Sequence, residues 1–266
     1  MLGGSLWPNT FYAKQAEYAV QRAAPLLTRL GQVGSLPFVG AQALFLPGLL
    51  GVIWLLVRQR RWLMLLPLGW AGSLILAYTL RLPVTYQHGR YLIPLIPVLT
   101  VFGVGGMSQL LRLHAPELIP RLASRAWLMA VGLLAIIFWF IGAGAYMRDT
   151  QIIETEMVAT ARWINQHTPP SALIAAHDIG ALGYFGQRPI LDMAGLVSPQ
   201  VIPFIRDETR LQAWLTDSGA DYLVTFPGWY PALTKPLATS EVFRTQAPFS
   251  PAAGGENMVV YAWPAH

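Results

Sequence analysis

Apolar residues are concentrated in four long stretches of the first 150 residues, at 36–57, 62–80, 92–111 and 126–147. None of the four contains Asp, Glu, Lys, Arg or His. As a helix, each stretch is long enough to cross a hydrocarbon layer of about 30 Å. The pattern therefore predicts a membrane region over residues 36–147 that contains four transmembrane helices.

Residues 148–266 have a different pattern, in which polar residues and Pro or Gly separate short apolar runs. A helix is predicted at 150–167, because Thr168 is followed by two prolines. A second helix is predicted at 207–218, with Gly219 as its C-terminal stop. Four strands are predicted between and after these helices, at 172–177, 188–192, 221–226 and 257–263. The predicted fold is an α-helical membrane bundle followed by a small extracytoplasmic α/β domain with a parallel or mixed sheet.

Residues 1–35 are predicted to form an outward interfacial segment. Trp7 to Thr10 resemble an interfacial turn that ends in a helix N-cap, and residues 11–30 have the pattern of an amphipathic helix on the membrane surface. No signal peptide is evident before residue 36. Either the first span acts as the insertion signal, or an earlier part of the natural chain precedes Met1.

Charge separates the two halves of the chain. Residues 1–147 contain 11 basic and 2 acidic residues, and residues 148–266 contain 7 basic and 11 acidic residues. The links at 58–61 and 112–125 carry three arginines each, so the positive-inside rule places both in the cytoplasm and the C-terminal domain outside. This distribution leaves no basic stripe for nucleic acid. The absence of cysteine excludes disulfides, thiolate metal sites and a Cys nucleophile.

Four short motifs resemble the later half of bacterial polytopic glycosyltransferases of the GT-C superfamily, relatives of lipid-linked mannosyl- and arabinosyltransferases. Two of these motifs belong to the membrane half, PNTFYAK at 8–14 and QHGRYLIP at 87–94. The other two resemble the outward C-terminal domain of that group, AHDIGALGYF at 176–185 and ILDMAGL at 190–196. Together the motifs extend over nearly the whole sequence.

The resemblance implies transfer of a sugar from a polyprenyl-phosphate donor to a glycan, lipid or protein acceptor on the outer side of the cell membrane. It implies an integral, multi-pass protein of the cell envelope. Such enzymes use an acidic base in an earlier outward loop and have more spans than the four predicted here. We therefore expect the sequence to be a C-terminal fragment of such an enzyme, and no catalytic base is assigned within it.

Candidate donor-binding residues are cations near the predicted membrane interface, where a lipid phosphate would lie. Arg90 and His88 precede the third span, and Lys14 belongs to the first motif. The alternative for Arg90 and its tyrosine neighbours is anchoring of a helix end in the interface. The alternative for Lys14 is a solvated helix face.

Candidate acceptor-binding residues in the C-terminal domain are His177, Asp178 and Asp192, because they stand at the carboxyl ends of predicted strands. The acids could act as an acid–base pair, or bind a metal with His177. Capping of a turn or helix is the favoured alternative for both acids. Sugar stacking by Trp229, Tyr230 or Trp263 is also open, although such aromatics are more often core residues. No metal site is assigned, and no cofactor is implied beyond the lipid-linked donor.

Two other functions remain open. A noncatalytic, membrane-anchored module could bind an extracytoplasmic glycan or protein. A transporter is the least favoured function, because the predicted spans contain no ionisable residue of the kind that marks ion or proton pathways.

Overall fold

The computed structural model of the protein describes residues 7–111 and 117–264. Residues 1–6 of the predicted N-terminal segment 1–35 lie outside this described part. So do residues 112–116 of the predicted link 112–125, which include Arg112. The chain forms two compact units. We call Met1–Glu17 with Gly144–His266 the α/β unit, and Tyr18–Ala143 the helical unit.

Three short helices precede the apolar region: α1 (Asn9–Glu17), α2 (Ala19–Ala23) and α3 (Leu26–Ser35). The prediction of one continuous helix over residues 11–30 is therefore wrong. The chain leaves helical geometry at Tyr18 and again at Ala24, which is extended. Ala24 is extended because Pro25 follows it, and a residue before proline disfavours the helical conformation.

The apolar stretches form helices α4 (Leu46–Arg58), α5 (Leu66–Arg81), α6 (Leu95–Leu110) and α7 (Leu118–Ile152). Within the described ranges, three helical stretches are long and apolar enough to cross a membrane, Gly40–Arg58, Trp62–Arg81 and Leu118–His167. Helix α6 matches the third predicted span but has 16 residues, a length of about 24 Å. These apolar helices indicate association with a membrane.

The helical unit has tight packing between α4 and α6. A Cβ atom on Gly106 would overlap the backbone of Gly48, and one on Gly48 would overlap the backbone of Gly103 and Met107. Glycine at these positions therefore allows the two backbones to approach closely. A Cβ atom on Gly105 would meet nothing within 4 Å. A Cβ atom on Gly103 would overlap Phe45, the residue directly before α4.

The last apolar helix continues without a break. Helix α7 passes through a π-helical segment, Ile153–Val158, into α8 (Ala159–His167). The predicted interruption between 147 and 150 is absent, whereas the predicted end before the prolines is confirmed. Glu156 in the π-helical segment is completely buried. Its carboxyl oxygens accept hydrogen bonds from the Thr245 hydroxyl, from Asn257 Nδ2 at 2.9 Å and from the Met258 amide at 2.8 Å.

The α/β unit contains a mixed five-stranded sheet with the order β2-β1-β3-β5-β4. Its strands are β1 (Ile174–Ala176), β2 (Ile190–Asp192), β3 (Tyr222–Thr225), β4 (Glu241–Arg244) and β5 (Val259–Ala262). Strand β1 pairs in parallel with β2 and β3, while β5 is antiparallel to β3 and β4. The four predicted strands are confirmed. Strand β4 was missed, because its mostly exposed sequence EVFR lacks a buried apolar face.

Both faces of the sheet are covered. Ala175, Leu223 and Val259 belong to one apolar cluster, which also contains residues of α9 (Glu208–Asp217) and α10 (Pro231–Thr234). The alternate residues Ile174, Val224 and Val260 belong to a second cluster with α8. This alternation is the two-residue period of a strand. A final short helix, α11 (Phe249–Ala252), lies in the connection between β4 and β5.

Candidate functional site

The candidate site lies at the carboxyl edge of the parallel strands. His177 directly follows β1, Asp192 is the last residue of β2, and the loop at 226–230 follows β3. Because these strands run in the same direction, their carboxyl ends meet at one edge of the sheet. Open α/β sheets commonly bind ligands at this edge.

His177 is held on both sides of its imidazole ring. Its Nδ1 atom lies 2.6 Å from the hydroxyl oxygen of Tyr230, and its Nε2 atom lies 3.5 Å from Oε1 of Glu17. Burial raises the pKa of Tyr230, and the nearby Glu17 charge raises it further. The phenol therefore keeps its proton at neutral pH. Because an ionised carboxylate can only accept, the imidazole proton on Nε2 points toward Glu17.

Glu17 is a partly buried carboxylate at the end of α1. Burial by itself would raise its pKa, but the hydrogen bond to His177 and the charge of Lys14 outweigh that effect and lower the pKa to about 2. Nζ of Lys14 lies 3.2 Å from Oε2 of Glu17. Lys14, Glu17, His177 and Tyr230 thus form one connected polar chain, in which Glu17 is ionised at neutral pH.

Helix α1 is attached to the α/β unit by further contacts. Ala13 is buried, and Nε of Arg206 donates to the carbonyl oxygen of Glu17 at 2.5 Å. These contacts fix the position of the helix end that carries the Glu17 carboxylate.

Trp229 borders the polar chain and is 48% exposed. The His177 and Trp229 rings meet edge to face, with centroids 5.2 Å apart. An exposed indole beside hydrogen-bonding groups can stack on the apolar face of a ring-shaped ligand such as a sugar.

The loop that carries Trp229 and Tyr230 is anchored at both ends. The Gly228 amide donates to Oε2 of Glu256 at 2.5 Å. The Ala232 and Leu233 amides donate to Oε2 of Glu208 at 2.6 and 2.9 Å. Because two carboxylates bind its backbone, the loop presents both aromatic rings in a fixed position.

Asp192 organises its own loop. Its Oδ1 atom accepts a hydrogen bond from the Ala194 amide at 2.8 Å, and its Oδ2 atom accepts from the Val197 amide at 2.7 Å. Its side chain is fully buried. This is the turn chemistry that the sequence left open as the alternative for Asp192.

Asp178 lies beside His177 and is half-buried. Among the described residues it has no hydrogen-bond or ion-pair partner, so neither its capping nor its acceptor-binding interpretation gains support. No group of three His, Asp or Glu residues that could bind a metal occurs in the described part of the chain.

The predicted donor-binding residues belong to different units. Lys14 is part of the polar chain in the α/β unit, whereas His88 and Arg90 lie in the 3₁₀ turn Gln87–Leu92 of the helical unit. His88 and Gly89 both have left-handed backbone conformations, with φ of 57° and 65°. The exposed guanidinium of Arg90 lies 5.2 Å from the centroid of the Tyr91 ring, and its Nη2 donates to the Tyr91 hydroxyl at 3.3 Å.

Sequence reasoning missed Glu17 and its role. A signal was present, because Glu17 is the first acidic residue of the chain and the next, Glu117, follows a hundred positions later. An isolated acid in an apolar, basic segment is unusual, since a solvated surface would carry several. The contact with His177 links positions 160 residues apart, which no local motif reveals.

Comparison with known proteins gives one family match. A family model described as a domain of unknown function, DUF8728, matches residues 143–261. This range contains His177, Asp192, Trp229 and Tyr230, but not Lys14 or Glu17. No curated protein and no solved structure matches the chain.

Proposed function

We propose that the chain is the donor- and acceptor-binding part of a membrane glycosyltransferase that uses a polyprenyl-phosphate sugar. In this proposal, four helices cross the cell membrane and the α/β unit lies on its outer side. Arg90 and His88 bind the donor phosphate, and His177 contributes to binding the acceptor. The resemblance of the four motifs to the GT-C superfamily supports this function.

The observation that carries the proposal is the conformation of the turn at Gln87–Leu92. A left-handed backbone at a residue other than glycine costs free energy, and such residues cluster at functional sites. Here the strained residue is His88, two positions before an exposed arginine. Among the described residues no carboxylate pairs with Arg90, so its charge is available for an anionic group. A lipid phosphate at the membrane interface has the complementary charge.

A transfer assay tests the proposal. Membranes that contain the complete enzyme, of which the chain is proposed to be a part, are given polyprenyl-phosphate mannose or arabinose with a radiolabelled sugar. Label is expected to pass to a membrane or envelope acceptor. Arg90→Ala is expected to reduce transfer about a hundredfold, because it removes a charge that stabilises the departing phosphate. The control Arg22→Ala removes an exposed positive charge from α2 and is expected to leave transfer unchanged.

Absence of transfer from both donors would contradict the proposal. Equal transfer by wild type and the Arg90→Ala variant would show that Arg90 does not bind the donor phosphate. Membrane insertion of each variant is checked by its retention in the membrane fraction, so that a loss of transfer is not confused with a loss of the protein.

A second candidate is a noncatalytic module that binds glycan. The exposed Trp229 ring beside the polar chain favours it. This function predicts saturable binding of soluble glycans that Trp229→Ala abolishes, without any transfer of label from the lipid-linked donors.

A further inference from the structure

The helical unit contains an open groove where the C-terminal end of α4, the N-terminal end of α5 and the C-terminal part of α6 meet. Its volume is about 410 Å³. Most of its lining is apolar and includes Leu56, Met64 and Phe102. The polar lining consists of Gln59, Arg61 and Gln109. The groove is therefore apolar with a few hydrogen-bonding groups and one positive charge.

Positive charge is concentrated beside this groove. Arg58, Arg60 and Arg61 are all exposed and lie within four positions of the chain. The sequence of the helical unit contains one acidic residue, Glu117. No ion pair involving these three arginines occurs in the described part of the chain. Their charges are therefore not neutralised by neighbouring carboxylates.

An occupant of this groove must match both its apolar wall and its cationic end. Free phosphate has the charge but gains nothing from the apolar wall. A phosphatidylcholine molecule matches the wall but has no net negative charge. A phospholipid with an anionic headgroup matches both, and basic pockets between membrane helices commonly bind such headgroups.

We propose that the groove lined by Gln59, Arg61 and Gln109 binds one anionic phospholipid. Its phosphate lies against Arg61 and the two glutamine amides, and part of an acyl chain lies against Leu56, Met64 and Phe102. This site differs from the Arg90 turn. The groove is at the N-terminal end of α5, and the Gln87–Leu92 turn follows its C-terminal end. The inference does not depend on the proposed sugar transfer.

Native mass spectrometry of the full chain in detergent tests the inference. The protein is titrated with phosphatidylglycerol or with phosphatidylcholine of the same acyl chains, and the Kd of the first bound lipid is measured. Phosphatidylglycerol is expected to bind more tightly. Arg61→Gln is expected to raise its Kd about fivefold, because each basic residue contributes about that factor to anionic lipid binding. The phosphatidylcholine Kd is expected to stay unchanged.

Two further variants separate a groove from a general charge effect. Arg125→Gln removes an exposed arginine from α7 outside the groove and is expected to leave both Kd values unchanged. Met64→Trp fills the groove without altering charge and is expected to raise the Kd of phosphatidylglycerol.

Three results would overturn the inference. An equal rise of the phosphatidylglycerol Kd in Arg61→Gln and Arg125→Gln would show that positive charge anywhere on the protein attracts the lipid nonspecifically. Equal Kd values for the two lipids would show that the headgroup charge is not recognised. Thermal stabilisation by inorganic phosphate equal to that by phosphatidylglycerol would show that the occupant is a free anion.

Discussion

The imidazole Nδ1 of His177 lies 2.6 Å from the hydroxyl oxygen of Tyr230. The two residues are 53 positions apart in the sequence, and they meet because β1 and β3 are adjacent parallel strands. The contact fixes the orientation of an imidazole whose other nitrogen faces Glu17. The imidazole is thereby held in a fixed position beside the exposed Trp229 ring.

Removal of the Tyr230 hydroxyl tests this contact. Tyr230→Phe leaves Nδ1 of His177 without its partner and is expected to lower the free energy of unfolding by about 1 kcal/mol. The control Tyr184→Phe changes a residue that is 77% exposed, and its expected effect is below about 0.5 kcal/mol. Urea unfolding in detergent micelles measures both. Equal effects of the two substitutions would show that the contact contributes nothing.

The lowered pKa of Glu17 predicts that the free energy of unfolding depends on pH. Its pKa falls from 4.5 to about 2 in the folded protein. A lowered folded-state pKa stabilises the fold above pH 4.5, and this contribution is lost as the pH falls toward 2. The contribution is expected to be about 1 kcal/mol at neutral pH, because partial exposure screens the interactions.

Comparison with Glu17→Gln isolates this contribution. Wild type is expected to be more stable than the variant at pH 6, and the difference is expected to shrink as the pH approaches 2. The control Glu154→Gln changes an exposed acid on the long helix, and its expected effect on the free energy of unfolding at pH 6 is below about 0.5 kcal/mol. A difference for Glu17→Gln that stays constant with pH would refute the role of the carboxylate charge.

Helix packing gives a third prediction. Gly106→Ala places a methyl group where the backbone of Gly48 lies, so α4 and α6 must separate. The expected cost is about 1 to 3 kcal/mol, as for other overpacked sites. Gly105→Ala adds the same methyl group one position away, where it meets nothing, and is expected to be neutral or slightly stabilising. Thermal unfolding in detergent compares them, and equal Tm values would contradict the close approach.

The buried Glu156 gives a fourth prediction. Glu156→Gln replaces one acceptor oxygen by an NH2 group, which cannot accept the hydrogen bonds that this oxygen receives. The expected loss is about 1 to 3 kcal/mol of unfolding free energy, because a buried donor loses its partner. Glu154→Gln, on the exposed part of the same turn, is the matched control. Hydrogen exchange at the Met258 amide is expected to rise in the Glu156 variant alone; unchanged exchange there would contradict the assigned contact.

The sequence predicted the features that depend on local pattern. The long apolar runs became helices, and the strand before His177 and the helix stop before Pro169 were placed correctly. In each case, residues close together in the chain determine the structure, through apolar periodicity or proline geometry.

Features that depend on distant contacts were not predicted. The partners of Glu17 and Glu156, which are His177 and the residues around Met258, lie far from them in the sequence. Strand β4 has little apolar character and exists because it pairs with β5. The break of the N-terminal helix at Tyr18 has no proline or glycine signal. Only tertiary structure distinguishes these cases.

The proposed function depends most directly on the side of the membrane that each segment faces. The chain contains no cysteine, so single cysteines can be introduced at the exposed residues Tyr184 and Gln59 and labelled with a membrane-impermeant maleimide. In intact cells, Tyr184→Cys is expected to react, and Gln59→Cys is expected to react only after the cells are permeabilised. Labelling of Gln59→Cys but not Tyr184→Cys in intact cells would place the α/β unit in the cytoplasm and contradict the proposal.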